Sequence, residues 1–361
     1  VTDFKIKKTN PILDDLEASI NELPVTTNLA PPDLSLGCDM LDLYVSGQIG
    51  KAVSPGMFVW LHGPSGSGKS FHAKTVMAEA ANSEIYQDHR FVVIDGENGS
   101  NFDTAKFFGR KLALKLETIE VSTLDHLYDK LDEITASPCV VIVDSWDSWL
   151  PHGAIEKIEI DRKRRAEGKA AEGDYNMAHG KIHSNRLRLL VPKLAKTNSI
   201  LLGISQHRDN IDRNNKYSPK DVVPGGRALK FWSHVEIETK LVGKIEKEIQ
   251  GSKIPIGDII QVKILKNRVN GLKLSITEEF YPTLGIDNLA TSLNWLVENR
   301  YVTVAGGRYS LPILGDKKLY REAVIQKIED ENLEDRLRDF LSACYNDYMS
   351  QMQVKRKGRY D

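Results

Sequence analysis

The chain reads as an α/β protein, with a mostly parallel twisted sheet at its core, an antiparallel extension of that sheet, a small helical appendage before it and a small α+β domain after it. Three observations predict this. Short apolar runs at 57–61, 91–94, 140–143 and 200–204 alternate with longer amphipathic or charged stretches, as buried parallel strands alternate with crossover helices. Two alternating stretches, 259–265 and 273–277, flank Asn270-Gly271, the signal of an antiparallel hairpin. After about 285 the text changes again, to a helical stripe followed by a short hairpin.

Residues 1–32 form the appendage. Asn10-Pro11 starts a helix, on which Ile12, Leu13, Leu16 and Ile20 recur near helical spacing and need a partner surface. Pro31-Pro32 then makes a stiff linker. The core spans 33–282. Within it a helix over 71–81 follows the first run, and Leu187, Leu190, Val191 and Leu194 stripe a later helix that Pro192 should kink. The C-terminal domain spans 283–361. Leu289, Leu293, Leu296 and Val297 make its first helix, and Tyr301–Val304 and Tyr309–Leu311 its hairpin around Gly306-Gly307. A charged helix over 317–350 and a basic tail with Lys355, Arg356, Lys357 and Arg359 complete it.

With 361 residues there is chain for two or three domains and a sizeable core. Lys plus Arg number 49 against 50 Asp plus Glu, so a partner drawn by charge must read a local patch. No apolar run approaches the ~18 residues of a membrane span, and no signal-peptide core is present near the start. Cys38, Cys139 and Cys344 are odd in number and far apart, without the spacing of a zinc or redox motif. A reducing cytoplasm is the expectation, with no membrane partner.

The strongest chemical signal is Gly63-Pro64-Ser65-Gly66-Ser67-Gly68-Lys69-Ser70, a phosphate-binding loop directly after an apolar run and before a helix. Its glycines let backbone N–H groups turn toward phosphate oxygens. Lys69 brings a cation to the β and γ phosphates, and Ser70 a hydroxyl to magnesium. A nucleoside triphosphate and magnesium are therefore the expected ligands. Three further groups end apolar runs at the same expected sheet edge. Asp144 suits a water-mediated magnesium carboxylate, Glu97 a group that orients or deprotonates an attacking water, and Gln206 a γ-phosphate sensor. Read alone, Asp144 also fits a strand-ending turn, Glu97 a loop cap and Gln206 a surface amide.

Two stretches are locally basic. Residues 157–196 hold 11 Lys plus Arg against five Asp plus Glu, and 207–230 hold six against three. Segments of this kind wrap a phosphate backbone without reading bases, which suits single-stranded DNA. Lys181, Arg188, Arg208, Arg213, Lys216, Gly225, Gly226 and Arg227 are the candidates. The bland alternative is a solvated helix face, Lys193 included.

The ordered set of GPSGSGKS at 63, Ile94-Asp95-Gly96-Glu97, VVIVDSW from 140, Ser205-Gln206, GGRALKF from 225 and Lys263-Ile264-Leu265-Lys266-Asn267-Arg268 resembles the RecA family of homologous recombinases over about residues 33–310. The second half looks most similar to the phage-type, UvsX-like members. The resemblance implies a RecA-like ATPase core that polymerises on single-stranded DNA, pairs it with homologous duplex DNA and exchanges strands, with DNA-stimulated ATP hydrolysis. It also implies catalytic roles for Lys69, Glu97 and Gln206, with Lys266 and Arg268 reaching the γ phosphate of a neighbouring protomer and Lys230 and Phe231 at that interface. Residues 1–32 would then be an oligomerisation helix and linker. Loader and single-strand-binding proteins would be further partners, in a bacterial cell or phage-infected host. The family's adenine-stacking aromatic falls on Thr104, with Phe102 nearby. Two other readings are a ring-forming helicase or accessory ATPase of the same fold, and a nucleotide-gated DNA-binding protein with little turnover.

Overall fold

The computed structural model describes residues 30, 32–97, 102–167, 176–209, 221–223, 226–353 and 356. The expected helix on Ile12 to Ile20, Pro31 and the tail residues Lys355, Lys357 and Arg359 lie outside them.

In chain order the elements are α1 (Asp39–Ser46), β1 (Phe58–Gly63), α2 (Lys69–Asn82), β2 (Arg90–Asp95), α3 (Thr104–Lys115), β3 (Leu116–Ile119), α4 (Leu124–Ile134) and β4 (Cys139–Asp144). Next come α5 (His152–Ala166), α6 (Asn176–Lys196), β5 (Ile200–Gln206), β6 (Arg208–Asp209), β7 (Asp221–Val222), α7 (Gly226–Trp232), β8 (Val235–Ile249), β9 (Ser252–Asn267), β10 (Ser275–Tyr281) and β11 (Gly285–Asp287). The chain then runs through α8 (Asn288–Glu298), β12 (Thr303–Ala305), β13 (Arg308–Ser310), β14 (Lys318–Tyr320), α9 (Arg321–Asp330) and α10 (Glu334–Met352). All four apolar runs are strands, and the hairpin expected around Asn270-Gly271 is β9–β10.

One nine-stranded sheet carries the core, in the order β11-β10-β9-β8-β1-β5-β4-β2-β3. Its six strands from β8 to β3 pair in parallel, and β9, β10 and β11 add antiparallel at the β8 side. The period-2 alternation explains why the central strands β1 and β4 are buried throughout and apolar up to their last one or two residues: both faces are covered. Val59 and Leu61 pack on one side with α1 and α2, while Phe58 and Trp60 pack on the other with α4 and α6. The first of these two clusters continues into the C-terminal segment through Leu293, Trp295, Leu296, Val324, Leu341 and Tyr345. Trp295 Nε1 donates to Tyr44 Oη at 2.8 Å across that contact.

Several sequence expectations change. The single helix expected over 317–350 is instead β14, α9 and α10, broken where Asn332 takes φ 51° between the two helices. No break falls at Pro192, since α6 runs through it to Lys196. The carbonyl four residues before a proline loses its donor, and here that residue is Arg188, which faces solvent. Lys193 is no free surface cation either, because its Nζ donates to Asp132 Oδ1 at 2.6 Å.

A buried carboxylate fixes the entry to the core. Asp42 is fully buried, and accepts from Leu36 N at 2.7 Å, Ser35 Oγ at 2.7 Å and Gly50 N at 2.8 Å. Burial pushes its carboxyl up to about 7 against the pull of these bonds. Asp42→Asn should cost about 2 kcal/mol in urea unfolding, because one backbone N–H or the Ser35 hydroxyl faces a donor instead of an acceptor. The folded value lies above the unfolded one near ~4, so the wild-type contribution is complete below that pH, declines as pH rises and is gone above about 7. The wild type's stability advantage over Asp42→Asn should therefore shrink between pH 5 and 7. A gap independent of pH contradicts the assignment.

Candidate nucleotide-binding site

The carboxyl ends of β1, β2, β4 and β5 share one edge of the parallel sheet, where an open α/β sheet binds ligands. They bring together groups from positions 63 to 206. A cavity of about 340 Å³ opens there, lined by Ser65 to Phe71, Asp95, Glu97, Phe102, Asp144 and Gln206.

The loop from Gly63 to Gly68 leads from β1 into α2. Gly63 passes so close to β8 that a Cβ would meet Thr239 O at 2.1 Å, and Gly68 takes φ 85° at the start of α2, which favours glycine. Ser67 Oγ donates to Pro64 O at 2.7 Å and lies 2.8 Å from Thr239 Oγ1, so β8 braces the loop. Lys69 is 6% exposed, with its Nζ donating to Pro64 O at 2.6 Å across the turn. Burial lowers its ammonium pKa, while Asp144, Glu97 and Asp147 pull the other way.

Ser70 Oγ donates to Asp144 Oδ2 at 2.6 Å. Burial raises the Asp144 carboxyl to about 6; the Ser70 bond and Lys69 oppose it, and Glu97 and Asp95 add to it. Glu97 is held from two sides. Gln206 Nε2 lies 2.8 Å from each of its carboxylate oxygens, and Ser145 Oγ donates to Oε1 at 2.7 Å. The expected phosphate loop, Asp144, Glu97 and Gln206 thus form one constellation.

Ser145 and Asp95 were missed by sequence reasoning. Ser145 follows Asp144 directly, and its signal is only the polar residue after a buried run. Phe102 reaches the cavity beside Phe71, the two rings edge-on at 5.5 Å between centroids. Thr104, on which the aligned aromatic falls, begins α3 and does not line the cavity.

The remaining cations gather elsewhere. Lys266 Nζ donates to Lys230 O at 2.5 Å and Phe231 O at 2.9 Å, and Arg268 donates to Phe231 O at 2.9 Å. Burial, with Arg268 next, draws the Lys266 ammonium down to about 8. These four residues sit at the C-terminal end of α7, with Phe231 63% exposed, and none of them lines the nucleotide cavity. Lys181 and Arg188 are exposed on α6, and Arg227 is exposed on α7, which Gly226 begins. Arg208 lies two residues past Gln206, the end of β5, and pairs with Asp147 at 3.4 Å. Arg213, Lys216 and Gly225 lie outside the described residues.

A parallel-sheet core, a phosphate loop between β1 and α2, and carboxylates delivered from β2 and β4 define a P-loop nucleotide-binding protein. The family described as RecA N-terminal domain matches residues 19–283. The chain therefore belongs to the RecA family. It is 26% identical to Protein RecA of Chloroherpeton thalassium over 320 residues, covering 86% of this chain and 82% of that one. It is 25% identical over 297 residues to Protein RecA of Thermus thermophilus, covering 81% and 78%. To Protein RecA of Colwellia psychrerythraea it is 27% identical over 300 residues, covering 81% and 78%.

Proposed function

We propose that the chain is an ATP-dependent homologous recombinase that assembles a helical filament on single-stranded DNA, pairs it with homologous duplex DNA and exchanges strands, with hydrolysis stimulated by DNA. The observation that carries this reading is the double hydrogen bond from Gln206 to Glu97. Gln206 ends β5, and the next residues lead through Arg208 into the basic segment 207–230, so one amide touches the water-activating carboxylate and begins the DNA-facing segment. A γ phosphate competes for that amide; hydrolysis returns it to Glu97.

Ser70 and Asp144 offer two hard oxygens 2.6 Å apart, a donor pair that suits magnesium. Bound there, magnesium neutralises phosphate charge. Lys69 exchanges the Pro64 carbonyl for phosphate oxygens, and backbone N–H groups of 65–70 cradle them. Glu97, oriented by Ser145, accepts the proton of the attacking water. Phe102 offers the ring against which a base can stack. Exposed Lys181, Arg188, Arg208 and Arg227 supply sequence-independent phosphate contacts.

We keep the division at 282/283 and a bacterial or phage-infected cytoplasm within the same proposal. Among the described residues no helix is long and apolar enough to cross a membrane. Electron micrographs with ATP and single-stranded DNA test the assembly: helical filaments support it, and closed rings favour the helicase reading. Lys69→Ala should remove ATP-dependent DNA binding altogether, because the loop loses its cation for the β and γ phosphates. ATP-stimulated strand exchange by that variant would sink the site assignment.

A further inference from the structure

Beside the nucleotide loop, the sheet carries a cluster that the nucleotide chemistry leaves unused. His62 immediately precedes Gly63, and its Nδ1 lies 2.8 Å from Nε2 of His207, the residue after Gln206. Glu238 stands opposite His62 in the β1–β8 register, with its Oε1 3.9 Å from the same His207 nitrogen. The three ligand atoms lie within 4.8 Å of one another.

A fourth residue orients the first. His62 Nε2 is 3.3 Å from Oε1 of Glu236, which is 2% exposed. A carboxylate accepts only, so Nε2 donates to Glu236, and in the neutral ring the Nδ1 lone pair points into the cluster. A histidine that donates its outer N–H to a carboxylate while its other nitrogen faces a second imidazole is the arrangement of a metal ligand with its supporting partner. Exposure rises from 5% at His62 through 12% at His207 to 33% at Glu238, so the cluster opens to solvent on the carboxylate side.

We propose that His62 Nδ1, His207 Nε2 and one Glu238 oxygen form a binding site for a zinc-class divalent ion, with water in the fourth position. Two imidazoles and one carboxylate suit zinc or cobalt; magnesium and calcium require more oxygen ligands. The fit needs little movement. Two nitrogens at ~2.0–2.1 Å from a tetrahedral ion stand roughly 3.3 Å apart, so the histidine pair opens by about half an ångström and the partly exposed Glu238 swings in.

Occupancy would tie β1 and β8 to the residue that follows β5, where nucleotide and DNA segments meet. His207 N already donates to Gly63 O at 3.1 Å, and Glu236 also pairs with Lys230 Nζ at 3.5 Å. Metal on His207 pins the residue next to Gln206 and opposes its exchange between Glu97 and phosphate, slowing DNA-stimulated turnover. This consequence rests on the recombinase reading; the site itself does not.

The test uses the full chain, stripped with chelator, without nucleotide and with millimolar magnesium present. Titration with Co²⁺ should give visible d–d bands that saturate at one ion per chain and vanish on adding Zn²⁺. His207→Ala should abolish the bands. Glu238→Gln, at the open rim where folding is least at risk, should weaken binding, and Glu236→Gln should do so by roughly 10- to 100-fold. Absence of saturable bands, or bands unchanged in both His207→Ala and Glu238→Gln, overturns the site and leaves a pair of histidines sharing a proton. If the bands behave as expected but Zn²⁺ leaves wild-type DNA-stimulated hydrolysis unaffected, the site stands and the regulatory step fails.

Discussion

Glu97→Gln should lower ATP turnover by roughly 10²-fold or more while preserving nucleotide binding, producing long-lived DNA complexes. The geometry explains the separation of effects. Glu97 touches Ser145 and Gln206, whereas the phosphate-binding groups on 65–70 are held by Pro64, Thr239 and Asp144. A glutamine keeps the shape but cannot take a proton from water. It also confronts the Gln206 amide with a partial donor, so Gln206 loses one of its two bonds and is freer to meet the γ phosphate. Binding should therefore hold or tighten as hydrolysis falls. The decisive measurements are single-turnover hydrolysis and nucleotide affinity on the same preparation. Unchanged turnover removes Glu97 from the role of base and returns it to that of a loop cap.

Much of this site was legible because its groups end buried apolar runs. Such runs are strands, parallel strands point the same way, and their polar end residues must collect at one edge. That pattern is enough to put Asp144 and Gln206 at the edge, whereas their proposed roles depend on the phosphate loop beside them. The antiparallel side was harder. β8 and β9 meet at Gln250-Gly251, whose φ values of 52° and 79° suit a tight two-residue turn, yet Gln-Gly is a weak turn signal beside Asn-Gly. The outer halves of both strands are largely exposed, so no buried face imposed a pattern there. β3, with three partly buried residues and one exposed at the sheet edge, left no apolar run at all. The histidine cluster depends on register between β1, β5 and β8, which no local pattern encodes. Likewise, Lys266 and Arg268 read as ordinary strand cations until α7 places its last carbonyls beside them.

That placement frames the second large effect. Changing Lys266 and Arg268 together to Ala should leave nucleotide affinity of the isolated chain near normal and reduce DNA-stimulated hydrolysis by roughly 10³-fold, the scale on which a cation supplied in trans stabilises transferring phosphoryl charge. Within one chain neither residue lines the nucleotide cavity, and both are bonded to carbonyls of Lys230 and Phe231. An isolated site therefore loses nothing when they are removed. Phe231 beside them is exposed, as an interface residue would be in a lone protomer. Mixing the double variant with Lys69→Ala protein should partly restore turnover, because the double variant keeps an intact phosphate loop and its Lys69→Ala neighbour presents the missing cations. Recovery should rise with total protein and require DNA long enough to seat several protomers. If the two proteins co-assemble and no turnover returns, Lys266 and Arg268 do not act across the subunit boundary, and their bonds to the end of α7 are structural.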